Sequence, residues 1–98
     1  MQAKPQTQAR SRSSTFFGLM AEFGTTQIPL EDCCFAYFGC DIHHAKEKAA
    51  ASRLEVPAFK IGSQKSQWFI HAADLAEHID RQRADQTDRW LLRQGGAA

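Results

Sequence analysis

With 98 residues, 43% hydrophobic and 23% charged, the chain has the composition of one soluble globular domain and is not a disordered polymer. No apolar run approaches the ~20 residues that cross a bilayer, and the polar opening Met1 to Ser14 leads into nothing resembling a signal peptide, so we expect a cytoplasmic protein with no membrane partner. A net charge of +1 decides nothing about a nucleic-acid partner until its distribution along the chain is read.

Residues 1–14 are rich in Gln, Ser, Ala and Arg and hold almost no apolar side chains, which predicts a flexible basic arm. Phe16, Leu19, Met20 and Phe23 then fall on one helical face, with Ser14 or Thr15 as a cap and Gly24 as a stop. Thr25 to Pro29 is expected to be a connector. Leu30, Cys33, Cys34, Tyr37 and Phe38 form a second apolar stripe, opened by Glu31 and Asp32 where the helix dipole favours acids. Gly39 closes that helix, because glycine adopts the left-handed conformation cheaply. Asp41 is a good N-cap for a third helix from Ile42 to about Arg53, backed by Ile42, Ala45 and Ala49. Two helices joined by so tight a turn, the second backed by small residues, make a helix-turn-helix.

Val56 to Ile61 and Gln67 to Ile70 are rich in β-branched and aromatic residues and predict two short strands around a polar loop, Gly62 to Ser66. Such a hairpin after a helix-turn-helix is a wing, and Pro57 suits an edge or a strand start. A fourth helix starts near Ala72 and buries Leu75, Ala76 and Ile79. Beyond Ile79 the periodicity decays, until Trp90, Leu91 and Leu92 appear before Gly95 and Gly96. That cluster either folds back on the core or serves as a dimer or partner contact. The predicted fold class is α+β, mainly helical: a winged helix-turn-helix with a two-stranded wing and a C-terminal helix. It divides into an arm at 1–14, a DNA-binding domain at 15–84 and a helix end and tail at 85–98.

Charge is segregated. Residues 1–15 carry +3, residues 16–41 carry −4, residues 42–70 carry +3 and residues 71–98 carry −1. The central basic block coincides with the third helix and the wing, where a phosphate backbone would need cations. Lys46, Lys48 and Arg53 on the helix and Lys60 and Lys65 on the wing are the candidates, with Ser63, Gln64 and Ser66 as hydroxyl and amide donors to phosphate. His43, His44 and Lys46 can donate to guanine acceptors, and Glu47 can accept from a cytosine amine. Arg10 and Arg12 on the arm suit a neighbouring minor groove. For any one of these residues the alternative is a solvated charge with no partner.

Several segments, in this order, resemble the pyocin activator protein PrtN family: Thr15 to Phe23, Ile28-Pro29-Leu30, Tyr37-Phe38, Ser63-Gln64-Lys65-Ser66, Asp74-Leu75-Ala76 and Ile79-Asp80. The resemblance runs from about residue 15 to about residue 84. The part from Ile28 onward is also similar to the winged helix-turn-helix of excisionases and MerR-type regulators. This implies a sequence-specific activator of phage-tail-like bacteriocin or prophage genes, under a repressor tied to the DNA-damage response. The expected partners are double-stranded DNA, a second protomer and RNA polymerase. Trp68 stands where the family is expected to hold a small or basic residue, and Ala51-Ser52-Arg53 replaces a glycine-containing helix end.

Two other functions compete. Cys34, Cys40, His43 and His44 lie close in sequence, which admits a Cys/His metal-sensing regulator. Their spacing is irregular, and Cys33 and Cys34 sit on an apolar helix face, so core packing without a metal or other cofactor is the expectation. An odd cysteine count with two adjacent is also a poor disulfide framework and suits a reducing compartment. A protein-interaction module, such as an antirepressor or phage adaptor, would use Trp90, Leu91 and Leu92. No enzyme is expected, because the chain lacks a glycine-rich phosphate loop and a paired-carboxylate site.

Overall fold

The computed structural model describes residues 13–63, 65 and 67–96. The arm expected at 1–14 thus lies almost wholly outside the described residues. Helix α1, Ser14–Phe23, is capped by Ser13, whose Oγ accepts the Phe16 N–H at 3.0 Å, one residue earlier than the sequence suggested. Gly24, at φ 73, ends it and donates its N–H to the Met20 carbonyl at 2.8 Å. Strand β1 is Gln27–Pro29. Helix α2, Leu30–Phe38, follows at once and ends at Gly39, whose φ of 68 is open to glycine at little cost. Helix α3, Ile42–Ala50, begins at Asp41. Strands β2, Phe59–Lys60, and β3, Trp68–His71, precede helix α4, Ala72–Gly96.

The architecture is α+β and mainly helical, consistent with a winged helix-like fold. It differs from the sequence expectation in three places. The hairpin is joined by a third strand: the antiparallel order is β1-β3-β2, with Ile28 opposite Ile70 and Pro29 opposite Phe69. Residues 27–29 are therefore an edge strand rather than a connector, and an edge accepts a proline. Strand β2 spans two residues, not six, and Pro57 precedes it. Helix α3 stops at Ala50, short of Arg53, because Ser52 turns left-handed at φ 57.

The core lies between the sheet and the helices. Ile28, Leu30, Cys33, Ile70 and Leu75 have their side chains fully buried, and Leu19, Ala45, Val56 and Ala76 pack around them. Each large aliphatic removed from water there contributes about 1.5–3 kcal/mol. Helix α1 runs antiparallel to the first turns of α4. The Thr15 hydroxyl donates to Asp80 Oδ1 at 2.6 Å at one end, and the Ala72 N–H donates to the Thr26 carbonyl at 2.7 Å at the other. His71 supplies the N-terminal acceptor of α4, its Nδ1 taking the Ala73 N–H at 3.0 Å. From Arg81 to Gly95 every side chain of α4 is exposed.

Candidate nucleic-acid interface

Helix α3 owes its position to two small residues. Ala45 and Ala49 are buried, so the helix axis lies close to α2 and the opposite face is left clear. His43, His44, Lys46 and Glu47 are exposed on that face, and Lys48 is half-buried beside them. The N-terminus of α3 is fixed by Asp41, which accepts the His44 N–H at 2.8 Å and meets His44 Nδ1 at 3.2 Å. The His44 hydrogen bond is the leading cause that holds the Asp41 carboxyl below its ordinary range. The C-terminus ends in a Schellman turn: Ser52 N–H donates to the Ala49 carbonyl at 3.1 Å and Arg53 N–H to the Lys48 carbonyl at 2.7 Å. Arg53 is exposed just past that turn.

The wing meets α3 at Trp68. A crevice between them is lined by Leu30, Glu31, Ile42, Lys46, Gln67 and Trp68. On the other side Lys60 Nζ stands 4.9 Å from the centre of the Trp68 ring, a cation–π contact across the register pair Lys60–Trp68. Lys46, Trp68 and Lys60 therefore form one continuous strip from the helix to the wing. The sequence showed Trp68 as a wing-strand residue and as a departure from the expected family pattern. Its alignment opposite Lys60 was concealed by uncertain strand register. At the tip Ser63 and Lys65 are exposed, and the Lys65 N–H donates to Ser63 Oγ at 3.3 Å. Gln64, Ser66, Arg10 and Arg12 lie outside the described residues.

The cysteines behave as core. Cys33 and Cys34 are buried and Cys40 is half-buried; all three are free thiols. Burial pushes the Cys33 thiol up to about 12, helped by neighbouring Cys34 and Asp32. Cys34 is also raised, first by burial and then by Cys40. Zinc binds thiolates, so burial that raises Cys33 and Cys34 suits these two to packing better than to ligation. Among the described residues no group of three or more His, Cys, Asp or Glu is gathered to hold a metal. No described helix is long and apolar enough to cross a membrane. Trp90 and Leu92 are 54% and 74% exposed, so the cluster at 90–92 does not fold back on the core.

Residues 15–85 match the family model described as pyocin activator protein PrtN. No curated protein and no solved structure matches the chain at a significant level.

Proposed function

The chain belongs to the pyocin activator protein PrtN family, and from that premise we propose that it binds double-stranded DNA at bacteriocin promoters and activates their transcription. One observation carries this reading. The clear face of α3, with His43, His44, Lys46 and Glu47, is continuous through Trp68 with the cation on β2. A helix backed by alanines enters a major groove about 12 Å wide. His43, His44, Lys46 and Glu47 then meet base edges. Lys48, Arg53, Lys60, Ser63 and Lys65 meet phosphates, which position the protein without reading sequence. Gln64, Ser66, Arg10 and Arg12 extend the same role at the wing tip and the arm. The protein acts in the cytoplasm, needs no cofactor, performs no catalysis, and reaches RNA polymerase through surface left free by the DNA.

The test is fluorescence anisotropy of the purified protein on a labelled bacteriocin-promoter duplex and on a scrambled duplex, at several salt concentrations. Tighter binding to the promoter with a negative salt slope is expected. Absence of binding at low salt sinks the reading. A second reading, a protein-interaction module, is favoured by the exposed Trp90, Leu91 and Leu92. Lys46→Glu separates the two: it abolishes promoter binding if α3 enters the groove, and leaves a protein partner undisturbed.

A further inference from the structure

We propose that the chain pairs with a second copy of itself through the outer half of α4, each copy seating its Trp90 in a cavity beside the other's α2. The cavity has a volume of about 390 Å³ and is walled by Tyr37, Phe38, Glu55, His78, Ile79 and Gln82. One of its walls is a mostly buried polar side chain whose ring nitrogens are not sealed from the cavity. His78 is 7% exposed and packs its ring 5.4 Å from that of Phe38. Its ring nitrogens make no hydrogen bond among the described residues. A flat aromatic with one donor fits such a site, because its ring extends the Phe38–His78 pair and its N–H finds an acceptor.

The chain carries that group itself. Trp90 is 54% exposed, and its indole N–H has no partner among the described residues. At 100° per residue, Ile79, Gln86 and Arg93 run down one face of α4, with Gln82 and Trp90 flanking the same line. Gln86 is the midpoint both of Gln82 with Trp90 and of Ile79 with Arg93. A twofold axis beside Gln86, with the two helices antiparallel, therefore brings the partner's Trp90 level with Gln82. It brings the partner's Arg93 level with Ile79, next to Glu55. The charges are complementary there: Glu55 is an exposed carboxylate on the cavity wall, and Arg93 is an exposed cation on the incoming turn. A twofold interface is isologous, so both contacts form twice. Pairing also explains how α4 remains helical where it touches nothing, since an isolated helix of about 15 residues is marginal in water.

This inference stands apart from DNA binding and is tested without DNA, on the full chain, by sedimentation velocity over a wide concentration range. A concentration-dependent dimer is expected. Trp90→Ala should raise its dissociation constant at least about tenfold, as loss of a buried aromatic anchor does. Glu55→Arg and Arg93→Glu should each weaken it, and the two together should restore it. All three positions are exposed in the monomer, so its far-UV circular dichroism should hold. In a Trp68→Phe chain, Trp90 emission should move to the blue as the dimer forms. A monomer at every concentration overturns the proposal. So does a dimer indifferent to Trp90→Ala, a charge pair that fails to restore, or a Trp90 emission that does not move.

Discussion

Ser52 holds the backbone that a glycine would hold at no cost. It sits at C′ of the Schellman turn closing α3, with φ 57, where a side chain crowds its own peptide. Ser52→Gly should stabilise the fold by about 1 kcal/mol, since relief of the left-handed strain exceeds the added freedom of the unfolded chain. Urea denaturation measures it, and an unchanged or lower midpoint would show that the strain is absent. At the other end of α3, Asp41 has a folded pKa held below its unfolded one, chiefly by the His44 N–H. Its contribution is therefore present above the unfolded carboxylate pKa and is lost as pH falls through the folded value. Asp41→Ala should lower the melting temperature at neutral pH, and the deficit should shrink on acidification. Asp41→Asn keeps an acceptor without the charge, so at neutral pH it should fall between the alanine variant and the parent and change little with pH. A deficit for alanine that is the same at every pH would mean the cap does not act through its charge. Both residues were legible in part: Asp41 reads as a cap because capping is local. Ser52 hides its role, because nothing in serine announces a positive φ.

The helices that the sequence predicted best are those whose signals lie within one turn. Gly24, Gly39 and Asp41 mark ends of α1, α2 and α3 through bonds spanning three or four residues, and the α1 cap expected at Ser14 or Thr15 lies one residue earlier, at Ser13. Strand β1 carried no such mark. It is three residues long, and its partner, Ile70, lies far along the chain. The outer half of α4 was read only as a helix end and tail, since it has no apolar period to read. Its available signal was charge at i, i+4: Glu77 pairs with Arg81 at 3.3 Å and Asp85 with Arg89 at 3.1 Å. Such pairs contribute only about 0.2–0.5 kcal/mol each. The two halves of α4 should therefore answer mutation differently. Leu75→Ala, at a fully buried position, should cost about 2–5 kcal/mol in urea unfolding. Leu92→Ala, at a site 74% exposed, should stay within about 0.5 kcal/mol in dilute protein. Similar losses at the two sites would mean that the outer half packs on the body after all.

At the scale of the molecule, the proposed DNA docking assigns base reading and backbone holding to different elements, and salt distinguishes them. A cation on phosphate releases counterions whatever the sequence beneath it, and each lost contact flattens the slope of log affinity against log salt by about 0.9. Lys65 is exposed at the wing tip, away from the crevice where Lys46 and Trp68 meet. Lys65→Ala should therefore weaken promoter and scrambled duplexes alike and reduce the slope by about one. His43 is exposed on the first turn of α3, and the proposed docking sets it against a base edge. His43→Ala should leave the slope intact and narrow the preference for promoter DNA, by about 1–3 kcal/mol where the contact is bidentate. If instead His43→Ala flattens the slope and Lys65→Ala narrows the preference, the wing reads the sequence and α3 lies on the backbone. The strip from Lys46 through Trp68 to Lys60 would then be the edge of the interface and not its centre, because one rigid body cannot present both elements to the same groove floor.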